Sequence, residues 1–189
     1  MARLRFTKAQ EKLFPPYRQD GIYSFSDQQG NTVDLLVTKR NKWWTQEDAW
    51  DDSFCPADYI RYESETIELS ADSSNLSIQF QMTFYVSWAN DPSLTWDDDY
   101  CLLNIGMNIA YSTWNEYMSV GFKISDKGAY IVESSSFHET IEINSYIYQD
   151  VVEMTQTIKN DVPVVLFYNK DYGIIQITVN NENYLSLKR

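Results

Sequence analysis

The sequence predicts an all-β fold. It reads as an antiparallel meander of about ten strands forming a curved sheet, either a lipocalin-like barrel or a sandwich, with a short N-terminal helix. Three observations predict it. Apolar residues recur at every second position over long stretches, short turn-forming segments separate those stretches, and nothing between them has the length and period of a crossover helix. The chain shows no internal repeat, linker or low-complexity tract, so it reads as one domain over 1–189 with an arm over 1–20.

The arm carries the helix. Thr7-Lys8-Ala9-Gln10 matches the S/T-x-x-E/Q capping box, and Pro15-Pro16 stops the helix about two turns later. Strands over 22–26 and 33–38 then flank Asp27-Gln28-Gln29-Gly30-Asn31, a hairpin loop in length and chemistry. Residues 43–52, with Trp43, Trp44, Trp50 and four acids, read as a loop. From Leu76 the apolar side chains take the even positions through Ile78, Phe80, Met82, Phe84, Val86 and Trp88, while Gln79, Gln81, Thr83 and Tyr85 fall between them. That is a long strand with one dry face and one wet face. A second acidic, Trp-bearing loop over 91–99 leads to a strand alternating through Cys101, Leu103, Ile105, Met107, Ile109 and Tyr111, whose other face holds Asn104 and Gly106. Met118, Val120, Phe122 and Ile124 form the next, ending at Asp126-Lys127-Gly128. Ile141, Ile143 and Ile147 mark one more. Strands over 164–168 and 174–179 flank Asn169-Lys170-Asp171-Tyr172-Gly173, and a last strand over 184–187 follows Asn180-Asn181-Glu182-Asn183.

Composition excludes several functions. Hydrophobic residues make up 43% of the chain and aromatics 15%, enough to repay the entropy of ordering it, so disorder is excluded. A net charge of −12 lacks the cationic footprint of a nucleic-acid binder. No apolar run approaches the ~18 residues of a membrane-spanning helix. The charge is concentrated: residues 43–122 hold 14 acids against Arg61 alone, and the rest of the chain is nearly neutral. A basic protein partner would be sought in that segment. Residues 1–20 are basic without an apolar core, so no export signal is written there. That suits a cytosolic protein or an exported one stripped of its leader. Cys55 and Cys101 accordingly form one disulfide in an oxidising compartment or stay two thiols in a reducing one.

Candidate sites follow from the Trp-bearing loops. Trp43, Trp44, Trp50 and Trp96 with Asp97, Asp98 and Asp99 supply rings that stack on an apolar ligand face and carboxylates that accept sugar hydroxyls. The plainer reading has these rings covering core edges and the acids solvated. Neither loop has the Asp and Gly spacing of a calcium loop, so no metal is assigned. His138, the single histidine, lies beside Ser134 to Ser136 without a nucleophile elbow and reads as a surface residue. No nucleotide-binding glycine motif is present and no cofactor is implied. Two carboxylates could serve glycoside hydrolysis, but their spacing is set by the fold, so the sequence selects no pair among the 27 acids.

Two terminal segments carry a resemblance. Phe6-Thr7-Lys8-Ala9-Gln10-Glu11-Lys12-Leu13-Phe14-Pro15-Pro16-Tyr17, followed by Gly21-Ile22-Tyr23-Ser24-Phe25 and Gly30-Asn31-Thr32-Val33-Asp34, resembles the start of small exported lipoproteins of unknown function abundant in Bacteroidetes. In those, a lipid-modified cysteine precedes a similar FTKEE and PPY run, a strand, a Gly turn and a second strand. Phe167-Tyr168-Asn169-Lys170-Asp171-Tyr172-Gly173-Ile174-Ile175 is similar to their YYNKEYGII ending. The middle of the chain shares nothing with them, and the export signal and lipobox cysteine are lacking. The resemblance implies a cell-envelope location, in the periplasm or on the outer-membrane surface, with a lipid tether through an N-terminal linker. It implies no catalytic residues.

The expected function is therefore non-enzymatic binding of a small molecule, glycan or partner protein at the cell envelope. The alternatives are a glycoside hydrolase using two carboxylates, and a structural or assembly component of the envelope.

Overall fold

The computed structural model describes residues 2–6, 8–12, 14–49, 58–73, 76–86, 100–109, 117–125, 128–132, 136–158 and 161–189. Its regular elements are β1 (Ala2–Leu4), α1 (Lys8–Glu11), β2 (Ile22–Ser26), β3 (Thr32–Ala49), β4 (Asp58–Ser73), β5 (Leu76–Val86), β6 (Tyr100–Ile109), β7 (Tyr117–Ser125), β8 (Gly128–Val132), β9 (Ser136–Ile143), β10 (Tyr146–Ile158), β11 (Val162–Asn169), β12 (Gly173–Val179) and β13 (Glu182–Leu187). Among the described residues the protein is all-β with one helical turn. Twelve strands form one antiparallel ladder in the order β8-β7-β6-β5-β4-β3-β2-β13-β12-β11-β10-β9, and β1 adds to β4 in parallel. Two meanders, β2 to β8 and β9 to β13, are thus joined where β13 pairs with β2.

Period-two burial gives this ladder its inner face. Phe80, Met82 and Phe84 of β5 are fully buried, as are Ile67 and Leu69 on β4 and Leu103 and Ile105 on β6. Register aligns them, with Phe80 opposite Leu69 and Met107, and Met82 opposite Ile67 and Ile105. The second meander contributes Met154, Val164, Leu166, Ile177 and Leu185 to the same continuous core. Each such side chain stabilises the fold by roughly 2 kcal/mol through the apolar area it removes from water. The ladder is not closed. β8 and β9 carry no ladder to one another among the described residues, although Val132 and Ser136 are four residues apart and so within about 14 Å. β7 and β10 approach within 8 Å between Cα atoms, so the sheet bends its two ends toward each other.

Several expectations are corrected. Residues 43–49 are strand rather than loop, because β3 continues for 18 residues and pairs with β4 as far as Ala49 opposite Asp58. The apolar alternation is lost there because a bulge between Val37 and Lys39 shifts the register and exchanges the faces. Before it, Leu35 and Val37 point inward. After it, Arg40, Lys42 and Trp44 share the face of Ile67, Glu65 and Glu63, while Lys39, Asn41 and Trp43 turn outward. The stretch around Ile141 to Ile147 is two strands, not one, divided at Asn144 and Ser145, whose φ values of 52° and 66° make a tight two-residue turn. Asn180 and Asn181, at φ 54° and 63°, shorten the expected four-residue loop before β13 in the same way.

The arm seals one region of the inner face. Phe6 and Phe14 meet edge to face at 4.8 Å, and Phe14 packs on Phe84 at 4.7 Å. Phe6 donates its N–H to Glu63 Oε2 at 3.0 Å. Arg40 donates through Nε to Glu65 Oε1 at 2.6 Å and through its guanidinium to the Tyr17 carbonyl. Lys42 pairs with Glu11 at 2.6 Å and lies 3.9 Å from the second Glu65 oxygen. Burial works to lower the Lys42 pKa, but the Glu11 carboxylate, with the charges of Glu65 and Glu63 behind it, outweighs burial and holds it above its ordinary value.

Candidate functional site

The outer face of β3 to β6 carries a groove of about 330 Å³, lined by Lys39, Asn41, Trp43, Thr66, Gln81, Thr83 and Asn104. Strand pairing builds it. Asn41 stands opposite Thr66, Thr66 opposite Thr83, and Thr83 opposite Asn104, so one row of amides and hydroxyls crosses four adjacent strands. Along β3, Lys39, Asn41 and Trp43 are spaced by two residues and share one wall. Trp43 is 51% exposed, which leaves much of the indole ring open to a ligand. Lys39 is held at the end of the row by Glu68 Oε1 at 3.0 Å, so its charge is answered there. The volume lies at the lower end of the range for small-ligand sites.

This geometry divides the residues nominated from the sequence. Trp43 lines the groove, whereas Trp44, 42% exposed, leaves the opposite face of β3 and has the guanidinium of Arg5 5.4 Å from its ring. Successive side chains of a strand alternate faces, so the two indoles cannot stack on one ligand. Trp50, Trp96, Asp97, Asp98, Asp99 and Cys55 lie outside the described residues. Cys101 belongs to β6, paired with Val86 and Phe122. Of the groove residues, Gln81, Thr83 and Asn104 sit on faces already legible as polar in the sequence. Lys39, Asn41 and Thr66 were missed, because only cross-strand register brings them beside the others.

Three carboxylates of β4, Glu63, Glu65 and Glu68, are structural. Glu65 is 1% exposed and engaged by Arg40 and Lys42, while Glu63 accepts the Phe6 N–H and Glu68 holds Lys39. Three cations of β3 therefore answer this part of the acidic middle segment from within the fold. His138 meets Glu153 at 2.7 Å between Nε2 and Oε2, across β9 and β10. Among the described residues, no group of three His, Cys, Asp or Glu side chains comes together to hold a metal. Comparison with family models, curated proteins and solved structures finds no match to this chain.

Proposed function

We propose that this chain is a non-enzymatic binding module that holds an uncharged glycan on the outer face of β3 to β6. One observation carries the reading: the Asn41, Thr66, Thr83 and Asn104 row lies in register across four strands beside the exposed ring of Trp43. Sugars present hydroxyls at their edges and C–H groups on their faces, and this surface offers amides and hydroxyls for the first and an indole for the second. Among the described residues the lining contains one charged side chain, Lys39, already paired with Glu68, which favours a neutral ligand over an anionic one. Among the described residues no carboxylate lines the groove to serve as an acid or nucleophile for hydrolysis. Strands hold the row in place before a ligand arrives, which limits the entropy lost on binding.

An envelope location with a lipid tether completes the reading and rests on the two terminal segments alone. We also infer a sandwich-like arrangement over a closed barrel. A core cluster drawn from both meanders, and the lack of a ladder between β8 and β9 among the described residues, support it.

A glycan array probed with the wild-type chain, then with Thr83→Val and Gln81→Leu, tests the binding role. Both variants keep strand-compatible side chains but remove groove hydrogen bonds. Expected are signals on neutral glycans that fall about tenfold in each variant, the effect of losing roughly 1.4 kcal/mol. A wild type silent on every neutral glycan, or variants that bind unchanged, would overturn it.

A further inference from the structure

Three tyrosines come together on the other meander, on β10 and the turn between β11 and β12. The two-residue turn at Asn144 and Ser145 starts β10 so that Tyr146 and Tyr148, two positions apart, leave the same face. Tyr172 reaches the same place from the turn between β11 and β12. Its ring stands 88° to that of Tyr148 with centroids 5.5 Å apart. Buried Asn169 ties the two sides together: its Oδ1 accepts the N–H groups of Asp171 and Tyr172, and its amide donates to the carbonyls of Gln149 and Asp150. The three rings are therefore positioned by backbone and by a single buried side chain.

The guanidinium of Arg189 occupies the space between them. Its Cζ lies 4.2 Å from the Tyr172 centroid, 4.8 Å from Tyr148 and 5.5 Å from Tyr146, all within range of a cation–π contact. Among the described residues no carboxylate forms an ion pair with Arg189, so ring faces provide its charge contacts. Lys42 is the contrast, since it lies near two phenyl rings but has Glu11 at 2.6 Å. We propose that Tyr146, Tyr148 and Tyr172 form a binding cage for a small quaternary ammonium group, with Arg189 as a built-in competitor. A trimethylammonium group brings the same single charge and no N–H hydrogens to be stripped of water, so it suits a box of ring faces at least as well as guanidinium. Because only the fraction of molecules with Arg189 displaced can bind, the wild type takes such a ligand weakly.

The test is a choline titration followed by tyrosine ring NMR, against sodium chloride at equal ionic strength, in wild type, Arg189→Ala and Arg189→Ala with Tyr172→Leu. Arg189→Ala is expected to bind choline about tenfold tighter than wild type, and the double variant to lose the response while keeping its circular dichroism spectrum. Shifts equal to those in sodium chloride, or choline affinity the same with and without Arg189, would overturn the cage. Should Tyr172→Leu fail to fold, Tyr146→Ala on the exposed rim reports the same loss, and unchanged binding there overturns the proposal equally.

Discussion

A β-carbon added at Gly173 would stand 2.4 Å from both the Cζ and the hydroxyl oxygen of Tyr17. Gly173 also sits at φ 77°, where L side chains are strained, and Ile174 beside it donates its N–H to the Tyr17 hydroxyl at 2.8 Å. Fully buried Tyr17 thus locks the arm against a hairpin 156 positions away. It is here that the N-terminal arm and the C-terminal β11–β12 hairpin meet each other.

Gly173→Ala is expected to destabilise the fold by roughly 3 kcal/mol or more, since it combines positive φ with a steric clash against an immobile ring. Gly30→Ala is the control. Its φ of 83° is equally demanding, but no atom lies within 4 Å of the added carbon, so about 1 kcal/mol is expected. Urea unfolding of both variants measures the difference, and equal losses would remove Tyr17 from the explanation.

Tyr17→Phe leaves the buried Ile174 N–H without its acceptor and is expected to cost about 1–3 kcal/mol. Burial pushes the Tyr17 hydroxyl well above its ordinary pKa near 10, partly opposed by the Ile174 hydrogen bond. The stability this group contributes is complete below the unfolded value and is lost as pH rises toward the folded one. Native stability should therefore fall from about pH 10 upward, and less steeply in Tyr17→Phe. Thermal melts from pH 8 to 11 provide the comparison.

Arg40→Met should cost about 3 kcal/mol, because Glu65 is left buried with only Lys42 at 3.9 Å. Adding Glu65→Leu should recover most of that loss, since the stranded charge is then gone. A double variant no more stable than Arg40→Met would show that the arm needs the ion pair for itself.

Ser145→Gly is expected to stabilise the protein by about 0.5–1 kcal/mol. It places glycine at φ 66° and creates the Asn-Gly pair that two-residue hairpins favour. A rise of a few degrees in Tm would agree, and a fall would not.

The alternating strands around Phe80 and Leu103 were legible because burial on one face writes itself into the sequence at period two. The 173 turn was legible for a different reason, since glycine marks positive φ. Asn144 and Ser145 hid a turn because they adopt the same conformation without glycine. Residues 39–49 hid a strand because the bulge after Val37 exchanges its faces, and its inward positions carry Arg40 and Lys42 rather than apolar groups. Those cations stand on the inward-facing side, partly exposed, where Glu63 and Glu65 of β4 and Glu11 of the arm meet them. The groove was half visible, as the polar faces of β5 and β6. Its other half depends on the pairing of Asn41 with Thr66 and of Thr66 with Thr83, a relation between strands that spacing along the chain does not encode.

Trp43 and Trp44 distinguish a groove-bound ligand from a general role for exposed indoles. They are adjacent and similarly exposed, yet face opposite sides of β3. Glycan binding by Trp43→Ala and Trp44→Ala, measured on one array with the wild type, therefore decides whether ligand sits in the groove. Loss of the wild-type signals in Trp43→Ala with their retention in Trp44→Ala is expected, and the reverse pattern, or equal loss in both, would place the site elsewhere.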